Sequence, residues 1–311
     1  MKNIIIIIFI IHINLAQAQA YEGTIGNHQI FLELDIDYND NRATAYYFYK
    51  SQLKNIPLEG TNNSSELILF EQHSEKDEKK ELFTLSIKDD TLSGTWQNND
   101  QSLNVQLTKT TKQFDDYKLQ HLEFVRDSIS THNKKELVWF TEKHSKKALF
   151  RVGNGFTESQ RKFVNLKLDS IHTNYATIGL ECGWADFNVE IELVSNQYIS
   201  FSEYSSIYCG GAHPSHNTTS YNFDLKNNRQ LDKLTDLYPN LNHYKLLENK
   251  YGNDTDLQDE CEYFSDSEYR WEFYSWVMTK DGVTITPSYP HALTPCETGF
   301  SLTYEELQQK N

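Results

Sequence analysis

The stretch Phe187–Tyr208 reads FNVEIELVSNQYISFSEYSSIY and decides the fold class of the second half of the chain. Apolar and polar residues alternate from Phe187 to Leu193, which is the period of a β-strand with one buried face. Ser195-Asn196-Gln197 is a polar turn, and Tyr198–Tyr208 follows as a partner strand. The stretch therefore predicts a long antiparallel hairpin.

A helix is predicted just before this hairpin. Thr157 and Gln160 form a capping box, and apolar residues follow at positions 164, 168, 171 and 175. Gly179 is expected beyond the end of this helix. Downstream, the pattern predicts a strand at Tyr221–Leu225, a helix near Leu241–Tyr251 and a second hairpin turned by Asp281-Gly282. Helices on one side of an antiparallel sheet give an α+β layer.

The first half of the chain is predicted to be all β. From Tyr21 to Thr110, about seven short alternating segments are separated by polar turns, with no helical pattern between them. Such a meander must hide one face, so we expect a curled sheet or a small barrel.

The stretch 111–155 allows two interpretations. Its apolar residues fit a helix from Leu119 to Ile129, whereas Leu137–Phe140 resembles a strand. We place the domain boundary near residues 110–116. This gives a β-meander domain at 21–110 and an α+β domain at 111–311.

Residues 1–20 are predicted to be a secretory signal peptide. Lys2 precedes an apolar run from Ile4 to Ile11, and small residues at 16, 18 and 20 place the cleavage near Ala20. The run is shorter than the roughly 20 apolar residues of a membrane span. We therefore expect an exported chain, secreted or periplasmic, that does not span a membrane.

The chain is acidic, with 44 Asp and Glu against 29 Lys and Arg and a formal net charge of −15 over 311 residues. Loss of Lys2, the one charged residue of the predicted signal peptide, lowers this charge to −16. Proteins bind phosphate backbones through clustered Lys and Arg, which this sequence lacks. We therefore expect no nucleic-acid partner, and the charge favours a basic protein ligand.

The cysteines are Cys182, Cys209, Cys261 and Cys296, all in the second half of the chain. In an exported protein, disulfides are the expected state of such residues. Cys182 and Cys209 flank the predicted hairpin, and Cys261 and Cys296 bracket the next one. We predict these two pairs, although the sequence leaves other pairings open. The spacing of a zinc site is absent, so zinc is disfavoured.

The loop Cys209-Gly210-Gly211-Ala212-His213-Pro214 is the most unusual local sequence. Its glycines permit positive φ angles, and His213 could be a base, a ligand contact or a group that stiffens the turn. Aromatic residues, among them Trp271 and Trp276, suit protein or sugar recognition, whereas core packing is the simpler explanation. The candidate binding residues are Gly210, Gly211, His213, Trp271 and Trp276.

The common signatures of hydrolases, metalloproteases and nucleotide-binding loops are absent from the sequence. The acidic stretch 254–266 could offer oxygen ligands to calcium, but Asp259 and Ser265 stand where an EF-hand loop needs Gly and Glu. Glu190 and Glu192 could pair for acid–base chemistry, or could simply face solvent. No cofactor, metal ligand or catalytic residue is assigned.

Several motifs of the second half resemble a known family. They are Tyr198–Tyr208, CGGAHP at 209–214, YNFDL at 221–225, LDKLTDLY at 231–238, KDGV at 280–283 and FSLTYEEL at 300–307. Together they resemble domain-of-unknown-function family 3298 over residues 160–307. This family forms the extracellular domain of RsiV-type anti-sigma factors, which sense lysozyme, and is attached to some secreted polysaccharide deacetylases.

The resemblance implies an α+β domain that binds rather than catalyses. The chain departs from the anti-sigma factors, since it has no predicted transmembrane helix or sigma-binding segment, and its cysteines are not required by the family. We therefore expect an exported binding module for a protein ligand such as lysozyme or for a cell-wall glycan. The alternative is an envelope hydrolase that uses His213 with a nearby carboxylate such as Asp224.

Overall fold

A computed structural model describes residues 18–63, 66–71, 81–251, 273–289, 294 and 296–308. The chain forms two compact units, Met1–His121 and Leu122–Asn311. The fold is α+β, as predicted, with mostly antiparallel sheets and an N-terminal barrel. The apolar run of the predicted signal peptide lies outside the described residues. No helix in the described part of the chain combines the length and apolar character of a membrane span.

The first unit is a closed barrel of eight antiparallel strands, which confirms the expected small barrel. In chain order the strands are β1 (Gln19–Ile25), β2 (His28–Asp37), β3 (Arg42–Tyr49), β4 (Ile56–Asn63), β5 (Glu66–Glu71), β6 (Leu82–Lys88), β7 (Thr91–Asn98) and β8 (Gln101–Lys109). Strand β1 closes the barrel by pairing with β8, with Tyr21 opposite Lys109.

Alternate residues of these strands point inward and fill the barrel. Fully buried examples are Ile30, Leu32, Tyr47, Leu69, Phe83, Leu92 and Leu107. At Gly23, Gly60 and Gly94 an added Cβ would overlap a backbone carbonyl oxygen of the neighbouring strand. Glycines at such close approaches let a small sheet curl enough to close.

Helix α1 (Phe114–Gln120) covers outward-facing aromatic residues of the barrel. Its Phe114 lies with ring centroids 5.6 Å from Phe31 and 4.8 Å from Phe48. The helical interpretation of the stretch up to Ile129 is therefore wrong beyond Gln120. Val125 and Ile129 lie in a strand and are 55% and 46% exposed, so their helical spacing does not mark a buried face.

The described part of the second unit contains three antiparallel sheets. The first is β11-β10-β9, with β9 (Phe124–His132), β10 (Lys135–Glu142) and β11 (Ala148–Val152). The second is β12-β13-β14-β15, with β12 (Trp184–Val194), β13 (Tyr198–Tyr208), β14 (Ser215–Asp224) and β15 (Arg229–Gln230). The third is β16-β17-β18, with β16 (Tyr274–Met278), β17 (Gly282–Pro287) and β18 (Phe300–Thr303). The predicted hairpin is β12–β13, paired from Trp184–Tyr208 to Val194–Ile199 with a bulge between Ile191 and Leu193.

The helices of this unit are α2 (Glu158–Glu181), α3 (His243–Tyr251) and α4 (Tyr304–Gln308), with a 3-10 turn at Leu234–Asp236. Helix α2 begins at the predicted capping box, in which the Thr157 N–H donates to Gln160 Oε1 at 3.0 Å. Its buried residues, among them Leu168 and Tyr175, share a core with Phe201 and Phe223 of the second sheet. The predicted helix near Leu241–Tyr251 is α3.

Gly179 lies inside α2, so the expectation that it follows the helix is wrong. The residue is buried, and an added Cβ would lie 3.0 Å from Lys147 Cγ and 3.1 Å from Ser145 Cβ. Glycine here allows a close approach of α2 to the turn between β10 and β11. The helix ends two residues later, where Cys182 is extended with φ −85° and ψ 156°.

The predicted disulfide between Cys182 and Cys209 is present and joins the end of α2 to the end of β13. Cys296 is also disulfide-bonded. Its predicted partner, Cys261, lies outside the described residues, as does the acidic stretch 254–266. The disulfide framework is thus confirmed for the first pair.

His172 of α2 is completely buried. Its Nε2 lies 2.9 Å from the carbonyl oxygen of Lys147, and its Nδ1 lies 3.3 Å from Nη2 of Arg151. A guanidinium group can only donate, so Nδ1 accepts and the neutral ring carries its proton on Nε2. Burial, assisted by the charge of Arg151, lowers the pKa of His172 to about 4.

We expect His172 to make the fold sensitive to acid. Its folded-state pKa is about 4 against an ordinary 6.5, so the unfolded chain binds more protons between these values. Stability is therefore lost as the pH falls from 6.5 to about 4, by about 3 kcal/mol in total. Urea unfolding across this range should show a shallower pH slope for His172→Gln, whereas His144→Gln should keep the wild-type slope. Equal slopes in all three proteins would contradict this role.

Candidate binding face

One face of the second sheet is open to solvent over part of its length. Helix α2 packs on the face that carries Phe201 and Phe223, so the even-numbered residues of β13, of β14 and of β12 up to its bulge at Glu192 point the other way. Cross-strand pairing aligns them in rows across the three strands. We call this set the open face: Trp184, Asp186, Asn188, Glu190, Glu192, Ser202, Tyr204, Ser206, Tyr208, His216, Thr218 and Ser220.

Aromatic rings stand exposed on this face. Tyr204 is 45% exposed and Trp184 is 43% exposed, and both belong to strands paired along their length. Rings held on rigid strands lose little conformational entropy when a partner covers them. Tyr and Trp are also enriched among residues that dominate binding energies. The open face therefore has the composition of a recognition surface.

A polar cluster occupies the middle of the open face. His216 Nδ1 lies 2.9 Å from Ser206 Oγ and 3.1 Å from Tyr204 Oη. The rings of Tyr204 and His216 are nearly parallel, with an interplanar angle of 15°. These contacts hold the Tyr204 ring in one orientation and leave much of its surface exposed.

The third sheet covers the other end of the same face. Ser200 and Asn222, both buried, point to the same side as Tyr204 and are bonded to β16. Asn222 Nδ2 donates to the carbonyl oxygen of Trp276 at 2.7 Å, and the Met278 N–H donates to Ser200 Oγ at 2.9 Å. The open face is thus the portion of the sheet that β16 does not reach.

The charge of the open face comes from β12. Asp186, Glu190 and Glu192 all lie on it. The Asp186 side chain is 81% exposed and forms an ion pair of 3.6 Å with Lys147 Nζ. Glu192 Oε1 accepts a hydrogen bond from Ser202 Oγ at 2.9 Å. Burial raises the pKa of Glu192, and the neighbouring charge of Glu190 adds to this shift. Two carboxylates close enough to interact create a local negative potential that a cation would relieve.

The loop that the sequence singled out lies at one end of the open face. Gly210 and Gly211 adopt φ angles of +102° and +95°, and an added Cβ at either would meet open space. Tyr208 Oη donates to the carbonyl oxygen of Gly211 at 3.0 Å, which holds the loop against β13. His213 is exposed on this loop. The loop and the open face therefore present neighbouring surfaces.

Of the two candidate tryptophans, Trp276 does not join this face. Trp276 is 2% exposed in the core of the third sheet, and its Nε1 donates to the carbonyl oxygen of Asp232 at 3.1 Å. Trp271 lies outside the described residues. The position of Trp276 agrees with the simpler explanation, core packing.

The structure does not bring His213 and Asp224 together. His213 precedes β14 and Asp224 is its last residue, so a strand of 10 residues separates them by about 30 Å. Asp224 is buried and accepts hydrogen bonds from Asn227 and Arg229 at the turn that follows. The Asp224 carboxylate therefore shapes this turn and is unavailable as a partner of His213.

Sequence reasoning found part of this face and missed the rest. The sequence pattern identifies Glu190, Glu192 and the loop residues as candidates but does not single out Trp184, Asp186 or Tyr204. The alternation of β12 and β13 was the signal that could have found them. Assigning one face to solvent also needed the side on which α2 packs.

The sequence matches no protein-family model and no curated protein. The solved structures that are similar to the chain include two from one family. One is a DUF3298 family protein from Pseudomonas aeruginosa PAO1, with 12% identity, a TM-score of 0.33, and coverage of 60% of this chain and 91% of that one. The other is a member of the same family from Bacteroides fragilis NCTC 9343, with 17% identity, a TM-score of 0.33, and coverage of 60% and 92%. Both belong to the family whose motifs the second half of this sequence resembles.

Proposed function

We propose that the protein is an exported, non-catalytic binding module whose open face binds a basic protein ligand. The single observation that supports this proposal is the presence of exposed aromatic rings and carboxylates on one rigid sheet face. Carboxylates attract Lys and Arg side chains, and Tyr and Trp rings bind the same cations through their faces.

Separate observations support the export of the protein and the basic character of its ligand. The disulfide Cys182–Cys209 and the signal-like first 20 residues favour an oxidising compartment outside the cytoplasm. The net charge of −15 steers basic proteins toward the chain at low ionic strength. Lysozyme is the candidate that the family resemblance suggests, and it is a basic protein.

Neutralising the open face should weaken binding of basic proteins. We expect the triple variant Asp186→Asn, Glu190→Gln, Glu192→Gln to bind lysozyme at least about ten-fold more weakly at low salt. Its affinity should also depend less on salt, because fewer charges are screened. Titration calorimetry of the mature chain over a range of ionic strengths measures both effects.

A matched variant separates this face from the overall charge. Glu66→Gln, Asp89→Asn and Asp100→Asn remove the same charge from exposed sites on the barrel unit and should leave the affinity nearly unchanged. Cytochrome c is a basic protein similar in size to lysozyme. Comparing the affinities of the two proteins shows whether the open face recognises the shape of lysozyme in addition to its charge. The proposal fails if the wild-type chain binds neither protein, or if both triple variants bind like the wild type.

A further inference from the structure

A groove of about 710 Å³ lies in the second unit beside the open face. It is lined by Thr218–Ser220 of β14, by residues of β16 and by His243 of α3. Thr218 and Ser220 also belong to the open face, so the groove begins where that face ends. The chemistry of the groove differs from that of the acidic strand β12 on the open face.

An exposed ring stands at this groove on a fixed backbone. Phe273 is 66% exposed, and its carbonyl oxygen accepts a hydrogen bond of 2.8 Å from the Ser288 N–H. This bond continues the β16–β17 ladder one position beyond the pair of Tyr274 and Pro287. The ring of Phe273 is therefore an apolar platform whose position the sheet sets.

Several lining residues of the groove carry hydroxyl groups, and its two charged lining residues have opposite signs. The lining residues that carry hydroxyl groups toward the groove are Thr218, Ser220, Thr235, Ser275 and Ser288, and Tyr274 adds a phenol. Thr219 also lines the groove, but its hydroxyl accepts a hydrogen bond from Asn217 Nδ2 at 2.8 Å on the other face of β14. Asp232 and Lys233 contribute one charge of each sign. His243 packs on Tyr274 at 4.8 Å between ring centroids, and burial lowers its pKa, which favours the neutral imidazole. A neutral imidazole offers one donor and one acceptor.

We propose that this groove binds a neutral carbohydrate chain, with one sugar ring on Phe273 and its hydroxyl groups bonded to the Ser and Thr side chains. A pyranose ring combines an apolar C–H face with a rim of hydroxyl donors and acceptors, which matches this lining. Among the described lining residues the charges of Asp232 and Lys233 cancel, so these residues give a cationic ligand no net attraction. The groove shares Thr218 and Ser220 with the open face but uses none of its carboxylates, so this proposal does not depend on the binding of a basic protein.

Three trisaccharides of similar size test the groove by titration calorimetry on the mature chain. Chitotriose and cellotriose are both neutral and differ in the acetamido group. The deacetylated chitosan trimer has the same backbone as chitotriose but is cationic. We expect saturable binding of one or both neutral sugars, weakened about ten-fold by Phe273→Ala and restored by Phe273→Tyr. Phe70→Ala removes a ring that is 38% exposed on the barrel unit and should have no effect.

The outcomes separate this proposal from the first one. Binding of the cationic trimer alone would mean attraction to the acidic surface and would overturn the carbohydrate groove. Absence of binding by both neutral sugars would also overturn it, as would equal binding by Phe273→Ala and the wild type. The charge variants of the open face should leave neutral sugar binding intact.

Discussion

A single methyl group at Gly60 should destabilise the barrel unit by about 3 kcal/mol or more. Gly60 of β4 lies between Ala43 of β3 and Leu69 of β5. The Cβ introduced by Gly60→Ala would overlap the carbonyl oxygen of Ile68 and lie 2.8 Å from its carbonyl carbon. The obstacle is backbone, so relief requires the two strands to separate where the barrel curls.

Hydrogen exchange of the full chain, resolved to peptides of β4 and β5, measures this loss. Thr61→Ala is the matched control, because Thr61 is the next residue of the same strand and is exposed. It should cost no more than about 1 kcal/mol. If both variants exchange alike, Gly60 is not the point of close contact that the geometry indicates.

Removing the disulfide should cost the second unit about 3.5 kcal/mol. The bond joins residues with a sequence separation of 27. A disulfide that closes a loop of this length lowers the conformational entropy of the unfolded chain, which stabilises the fold by about 3.5 kcal/mol. We expect the variant Cys182→Ala, Cys209→Ala to fold less stably, with earlier urea unfolding and faster exchange in β12 and β13. A reductant is a poorer test because Cys296 is also disulfide-bonded.

The single variants provide the control. Cys182→Ala and Cys209→Ala break the same bond, so each should cost nearly as much as the double variant. Costs that add up to the value of the double variant would show that packing of the two side chains is responsible, and not the covalent link. Loss of the disulfide should also loosen Trp184 and Tyr208, which are paired next to it.

Local patterns in the sequence predicted much of the second unit. The alternation in Phe187–Leu193 predicted the hairpin, and the hairpin brought Cys182 and Cys209 together. The capping box at Thr157 predicted the start of α2. These features depend on residues near one another in the chain, where periodicity and turn chemistry are informative.

Features set by distant contacts could not be predicted in the same way. Closure of the barrel requires β1 to pair with β8, which is separated from it by the whole meander. Gly179 lies inside α2, where the absence of a side chain leaves room for a distant turn at Ser145 and Lys147. Val125 has a helical spacing from its apolar neighbours but lies in β9, since tertiary pairing overrides weak local preference.

The candidate site also combines features that the local sequence predicts with features that depend on distant contacts. The sequence predicted that Glu190 and Glu192 share one side of a strand. Which partners they face depends on the register of β13 and β14, which places Ser202 beside them. Phe273 became informative only once its exposure and its tether to Ser288 were known.

The closure of the barrel has a mechanical consequence. The chain enters through β1 and leaves through β8, and these strands run antiparallel, with Tyr21 beside Lys109. A force that pulls the two ends of this unit apart therefore acts across the ladder at its last pair. The hydrogen bonds between β1 and β8 then break one after another from this end, and they do not share the load as they would in shear. Under tension this barrel would yield from its seam, at a force set by single pairs and not by its buried core.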